Sequence, residues 1–479
     1  MAPRFIRELI PRRENRAPFC AVVVALKSLT LMQWVLFWSG WLAWTCDAID
    51  FFAVSLTVPL LSKQFGKSTS AITTALTLTL LFRSVGAMIF GIVSDRFGRK
   101  WPLVVNLIIC SALELGTGFV NTFSQFLAVR ALFGIAMGGI WGLSSSSALE
   151  NLPVELRGLA SGILQEGYVV GSLLAAVINL TLVAKHTWRV IFWTGAGITF
   201  FAAVIRALVP ESAFFSRTKE QGNANGTNTS QKTKIFIRET KDMLERHWLL
   251  CIYAVLLMTV LNFMAHGSQD LYPTYLETTK GFTAHSASIA TIISNCGAVV
   301  GGAIGGWASQ YIGRRLTIVI FVLLVGAFIP LWVLPSSFSA LSVGAFCFQL
   351  GVQGAWGVIP IQLAEMSPPA FRATFPGVVY QLGNMVSSAS AQIEATGGNH
   401  FKTTIIEDGV PTVVPDYATV QAIFIGAVVA LAVIITIIGP ENHSSHFEKA
   451  DAAFEGEDKV ISDNPSQVSY GEADEKSRA

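Results

Sequence analysis

Along this chain apolar residues gather into long runs, and charged residues fall mostly in the gaps between them. The runs repeatedly reach the roughly 20 residues that a helix needs to cross hydrocarbon. They predict spans over 33–61, 71–93, 102–121, 124–149, 158–183 and 188–209, and again over 248–276, 285–308, 316–335, 338–364, 374–396 and 417–438. The fold class is therefore an all-α membrane protein of twelve spanning helices. Its divisions are a leader 1–30, a six-helix bundle 31–210, a linker 211–247, a second bundle 248–440 and a tail 441–479.

Lysine and arginine set the orientation. Alternate loops carry Arg96, Arg99 and Lys100, then Arg157, the stretch Arg217–Arg246, Arg314 with Arg315, and Arg372. The opposite loops are poorer, with Lys63, Lys67, Lys185, Arg189, Lys280 and Lys402. The positive-inside rule then places both termini in the cytosol, in keeping with an even span count. Six basic residues in Met1–Thr30, with no small-residue cleavage site after a short apolar core, make that segment a cytosolic leader and not a cleaved signal. Glu220–Lys234 is rich in Gly, Asn, Thr and Ser and reads as a flexible connector, and Ile235–His247 has helical spacing. The acidic, polar tail from Glu441 reads as disordered and suits regulatory proteins.

Composition narrows the classes. Charged residues make up 13% and hydrophobic ones 52%, against roughly 25% charged in a soluble domain. A net charge of +2, with basic residues spread over alternate loops, offers no face for nucleic acid. The six cysteines lack paired spacing, so neither disulfides nor a metal site is expected. No complete Gly-x-x-x-x-Gly-Lys-Ser/Thr phosphate loop or nucleophile elbow is present, so neither ATP-driven transport nor catalysis is expected, and no cofactor is implied.

An internal repeat organises the spans. Gly91-x-x-x-Asp95-x-x-Gly98-Arg99-Lys100 reappears 215 residues later as Gly306-x-x-x-Gln310-x-x-Gly313-Arg314-Arg315. The same offset carries Gly139-x-Trp141-Gly142 onto Gly354-x-Trp356-Gly357, and Glu150-x-x-Pro153-x-x-x-Arg157 onto Glu365-x-x-Pro368-x-x-x-Arg372. Two duplicated halves are expected of transporters that rock around a midplane site. Glycines at these positions allow close helix approach, and the acids and arginines suit charge pairs at a gate. Because Gln310 replaces an acid, the first half should carry the stronger gate.

Ionisable residues inside spans are expensive and so point to chemistry. Asn262, His266 and Asp270 share one helical stripe, with Gln269 beside it, and His suits reversible protonation. Arg83, midway along its span, needs either a substrate carboxylate or a permanent partner in Asp47 or Asp50. Those two acids are one turn apart, an arrangement that suits a shared proton. Glu166 is a further intramembrane acid; its repeat mate is Gln381, with Asn384 one turn on, so the two spans should oppose polar patches. Glu114 is read as a packing residue. Arg130 serves either proton coupling or the anchoring of its span.

Three segments resemble the major facilitators. These are Gly91–Leu103, the run Arg130-x-x-x-Gly134-x-x-x-Gly138, and Pro210-Glu211-Ser212. A fourth is more specific. Asn262-Phe-Met-Ala-His266-Gly-Ser-Gln269-Asp270-Leu-Tyr-Pro-Thr274 is similar to the signature of fungal carboxylate–proton symporters, the lactate permease family within the sialate-symporter group, with Ala265 where Ser or Thr is usual. The likeness implies proton-coupled uptake of a short monocarboxylate such as lactate, pyruvate or acetate across the plasma membrane, by a protein working as a monomer. Its partners are then a small carboxylate anion, the proton and the lipid bilayer. Arg83, Asn262, His266, Gln269, Gln381 and Asn384 become the candidate substrate contacts. His266, Asp47, Asp50, Glu166, Asp270 and Arg130 are the proton-coupling candidates. Gly91, Asp95, Arg96, Gly98, Arg99, Glu150, Arg157, Gly313, Arg314, Arg315, Glu365 and Arg372 are the gate. Three alternatives remain: a dicarboxylate or sialic-acid-like sugar acid as substrate, a neutral sugar, and a non-transporting nutrient sensor. A neutral sugar would leave Arg83 without an anionic partner.

Overall fold

The computed structural model describes residues 19–211, 229–367, 374–407 and 410–440. Eleven helices among them are long and apolar enough to cross a membrane. Spans 1 to 6 are Leu31–Phe65, Thr69–Phe97, Lys100–Thr117, Phe123–Leu149, Val154–Val183 and Arg189–Leu208. Spans 7 to 10 are His247–Thr278, Ala284–Ile312, Arg314–Val333 and Phe338–Met366, and span 12 is Tyr417–Ile438. The eleventh span departs from the single helix expected over 374–396. It is two half-helices, Thr374–Ser387 and Ser390–His400, broken at Ser388–Ala389. Neither half reaches membrane length alone, and together they fill the place of a twelfth span. Half-breaks also mark span 4 at Gly138–Gly139 and span 10 at Gly357–Val358, positions near the repeat offset.

Two elements lie outside the expected spans. A short helix, Phe19–Ser28, occupies the leader, and an antiparallel strand pair, Lys402–Glu407 with Val410–Pro415, precedes span 12. Ile235–His247 is helical as its spacing predicts: one helix covers Thr229–Gln269, kinked at His247. The tail, most of the leader, 212–228 of the linker, and Arg372 lie outside the described residues.

Local sequence explains the ends. Span 1 opens on a capping box in which Thr30 accepts from the Gln33 amide and the Gln33 side chain answers the Thr30 amide. Thr122 and Gln125 repeat the device at span 4. Spans 2, 8 and 10 start on Ser68, Thr283 and Ser337. Gly98 and Gly313, one repeat apart, end spans 2 and 8 at φ 105° and 97°, a conformation that side chains with a Cβ rarely adopt. Packing uses glycine as well: a Cβ on Gly297, Gly301 or Gly305 of span 8 would overlap the carbonyls of Phe346, Leu350 or Gly354 on span 10. That stripe lets two backbones touch, as lipid-embedded helices need.

The halves meet on both sides of a central cavity. At the end bearing the arginine-rich loops, Thr374 of span 11 donates its amide to Asp95 Oδ2 at 2.9 Å, and Ser161 Oγ donates to Gly357 O at 2.8 Å. At the opposite end Ser55 Oγ donates to Asp270 O at 2.7 Å, Gln392 Nε2 to Ser70 O at 2.8 Å, and Asn295 Nδ2 to Ser172 Oγ at 3.1 Å. The halves are therefore bonded to each other at both ends.

Candidate functional site

A small cavity lies between the halves, lined by Gln165, Tyr168, Asn262, Ala265, His266, Gln269, Gln353, Trp356 and Tyr380. Its walls are aromatic. Tyr168 stacks on Trp44 at 5.2 Å, Tyr380 stacks on Trp141 at 4.5 Å, and Trp356 meets Tyr380 edge-on at 5.7 Å. Trp356 Nε1 is buried without a protein partner, which leaves a donor at the cavity wall.

One hydrogen-bond chain fixes the protons around His266. Gly138 O only accepts, so the Gln381 group 3.5 Å away is Nε2. Gln381 Oε1 then accepts from Asn384 Nδ2 at 2.7 Å, which turns Asn384 Oδ1 toward His266 Nε2 at 3.0 Å. That ring nitrogen must donate. On the other side of the ring, Nδ1 is 3.1 Å from both oxygens of Asp270. Nδ1 and the carboxylate therefore share a proton, and without it a lone pair would face a charged oxygen. Asp270 is 1% exposed and His266 4%, and Phe51 meets the ring edge-on at 5.6 Å. Beside this dyad Gln269 Nε2 donates to Gln349 Oε1 at 2.9 Å.

Arg83, 1% exposed, does not line the cavity. It lies within electrostatic range of Tyr168 and Tyr380, two of the cavity's walls. Its Nη2 donates to Asp47 Oδ2 at 2.6 Å, while Arg83 Nε and Asp47 Oδ1 have no partner. The two acids of span 1 have separate partners, since Asp50 Oδ2 accepts from Thr199 at 3.1 Å. Glu114 is more than the packing residue expected. It pairs with Arg130 at 2.8 Å with both side chains fully buried, and Arg130 also lies 4.1 Å over the Phe133 ring. Nor do Glu166 and Gln381 oppose each other. Glu166 lies against Gly302 of span 8 and is not among the cavity's lining residues, and Gln381 is tied to span 4. The cavity polar groups that sequence reasoning passed over are Gln165 and Gln353, joined by a 3.1 Å bond from Gln353 Nε2 to Gln165 O. Gln165 stood beside the acid that drew attention; Gln353 precedes the Gly354 landmark by one residue.

The repeated loops make matching clamps. Arg99 meets Asp95 and Glu150 at 3.0 Å each. Burial alone pulls the Arg99 pKa down, but Glu150 and Asp95 more than offset it and hold it above its ordinary value. Glu211 accepts from the Arg99 and Lys100 amides at 3.2 and 3.0 Å, a carboxylate at the N-terminus of span 3. In the second half Arg314 grips Glu365 through two bonds of 3.0 Å and takes Gln310 Oε1 at 3.1 Å. Among the described residues the first clamp joins Arg99 to two acids, and the second joins Arg314 to Glu365 and the Gln310 amide. Gly91 faces Thr374, Arg96 lies 5.0 Å over Phe97, Arg157 Nε donates to Leu152 O at 3.1 Å, and Arg315 Nη1 donates to Ile437 O at 3.2 Å.

The family model described as Major Facilitator Superfamily matches residues 40–391. A carboxylic acid transporter protein homolog of Saccharomyces cerevisiae is 33% identical over 429 residues, covering 87% of this chain and 69% of that protein. The cis,cis-muconate transport protein of Acinetobacter baylyi is 26% identical over 76% of this chain and 88% of its own. The sialic acid transporter NanX of Escherichia coli is 25% identical over 72% of this chain and 82% of its own. Among solved structures, a proton:xylose symporter, XylE, bound to 6-bromo-6-deoxy-D-glucose, matches with a TM-score of 0.66 at 17% identity, covering 87% of this chain and 98% of that one. At that identity the likeness is one of fold.

Proposed function

Because the chain belongs to the Major Facilitator Superfamily, whose members are membrane transporters, we propose that it carries short monocarboxylates together with protons by alternating access across the plasma membrane. The arginine-rich loops and both termini then face the cytosol. The observation that carries this reading is a buried proton-sharing dyad, His266 with Asp270, at the wall of a small aromatic cavity with one buried guanidinium close by. The Saccharomyces relative, named for carboxylic acids, supports the substrate class.

In this scheme the substrate carboxylate takes the unpartnered Trp356 Nε1–H, beside the His266 ring. Asn262, Gln269 and Gln353 supply the remaining polar contacts along the cavity. Arg83 spends one N–H on Asp47 and keeps Nε unused, so movement of Tyr380 lets it exchange that internal acid for the anion. Opening toward the cytosol breaks the Asp95–Thr374 bond, and opening outward breaks the Ser55–Asp270 bond. The second of these bonds ends on the main-chain carbonyl of Asp270, so outward opening moves the backbone that carries the dyad.

Tryptophans around the cavity make binding directly readable. Lactate and pyruvate are expected to change Trp fluorescence in the purified protein and to compete with each other, whereas a neutral hexose leaves it unchanged. Stronger competition by a dicarboxylate or by sialic acid would reassign the substrate.

A further inference from the structure

Span 11 carries an acid that the cavity does not touch. Glu394, on the half-helix Ser390–His400, is 0% exposed. Its Oε2 accepts from Gln421 Nε2 of span 12 at 2.8 Å. Its Oε1 and the Gln421 Oε1 have no partner within hydrogen-bond geometry. The other deeply buried acids have compensation: Asp47 has Arg83, Glu114 has Arg130, Asp270 has His266 and Glu365 has Arg314. Asp50 takes the Thr199 hydroxyl, with Arg130 on its own carbonyl. Glu394 has only neutral donors beside it, the Gln421 amide and the Ser390 hydroxyl, with no ion pair among the described residues. An ionised carboxylate there would cost several kcal/mol, so the geometry suits the neutral acid.

The surroundings offer no counter-charge. The titratable groups that face Glu394 are Asp270 of span 7 and Tyr417 of span 12, and neither is a cation. Span 2 presents Ser70, Thr73 and Thr74 to the same half-helix, all three bonded to Gln392. The neighbouring strand Val410–Pro415 holds no titratable side chain. Yet this half-helix closes the end of the cavity opposite the arginine-rich loops. Gln392 locks onto Ser70, and Thr77 donates to the carbonyl of Ser388 at the helix break, at 3.0 Å. Asn384, on the first half of the same span, holds His266.

We propose that Glu394 is a proton-binding site whose protonation seats the half-helix Ser390–His400 against spans 2 and 12 and so seals the cavity. The inference rests on the proton-coupled reading above. A proton from the outer aqueous side adds to the Glu394 carboxylate to give the neutral acid; its loss restores the charge, which draws in water and unseats the half-helix. Glu394 thereby links the proton to the gate without contacting substrate, while the dyad beside the cavity keeps its own proton.

The test uses the full chain in liposomes. Glu394→Gln keeps the shape of the neutral acid and an oxygen for Gln421. Lactate counterflow in this variant should stay within about twofold of wild type, while accumulation under a one-unit proton gradient should fall from about tenfold to none. Glu394→Asp should retain accumulation. Infrared difference spectra should show a buried protonated carboxyl in wild type that is missing in Glu394→Gln, a readout independent of transport. Full accumulation by Glu394→Gln, an unchanged infrared band, or joint loss of counterflow and accumulation would overturn the proposal. If wild type itself accumulates no carboxylate, the proton-coupled reading fails instead, and the infrared band still decides whether Glu394 holds a proton.

Discussion

Removing Asp47, Arg83 or both separates a structural ion pair from a substrate site. The pair is fully buried, with a 2.6 Å contact. Arg83→Ala leaves Asp47 without a cation, and Asp47→Ala leaves a buried guanidinium, and breaking such a pair costs about 3–5 kcal/mol. Each single variant should therefore melt well below wild type in detergent. The double variant removes both charges and should regain most of that loss, so the two single losses should be far from additive. Transport must not follow stability. If Arg83 grips the substrate, losing two charge-assisted bonds of about 1.5 kcal/mol each weakens lactate binding roughly a hundredfold. The double variant should then be folded and inactive. Thermal melting and lactate uptake, measured on the same four preparations, give the answer. A double variant that regains both stability and uptake would show Arg83 to be only the partner of Asp47.

Other consequences follow from single contacts. Asn384→Leu strands the His266 Nε2–H and the Gln381 Oε1 and should cost about 1–3 kcal/mol, seen as a lower melting temperature together with weaker lactate binding. Gly301→Ala drives a methyl into the Leu350 carbonyl and should lower the melting temperature by an amount equivalent to about 1–3 kcal/mol or more, through overpacking of span 8 on span 10. Gln310→Asp puts an acid where Asp95 stands in the first clamp, and should slow turnover by holding the cytosolic end closed. Faster turnover in that variant would count against a gating role for the clamp.

The architecture was legible because glycine, acid and arginine recur at one offset, and the clamps of Arg99 and Arg314 form on those landmarks. The break at Ser388–Ala389 was not legible, because neither residue is a glycine or a proline, the usual marks of a helix interruption. The strand pair at 402–415 lay between two apolar runs whose ends alone were read. Glu394 is not legible as a buried acid, because the apolar run ends at 396 and puts it near a membrane edge. The helix runs on to His400 and carries it inside. Within the site, the stripe of Asn262, His266 and Asp270 follows from helical spacing alone. The partners that fix its protons do not, since Asn384 stands 118 residues from His266 and reaches it only through the packing of spans 7 and 11. Glu114 and Arg130, on neighbouring spans, pose the same difficulty, and so does the choice between Asp47 and Asp50 as the partner of Arg83.

The most direct measurement of the proposed function is labelled L-lactate uptake by the purified protein in liposomes, with and without an inward proton gradient. Uptake quickened by the gradient, and abolished by Arg83→Ala in protein that still folds, is the expected result. Folded, correctly oriented protein that moves neither lactate nor pyruvate under the gradient would contradict it, and retained lactate binding without flux would mark a sensor on a transporter scaffold.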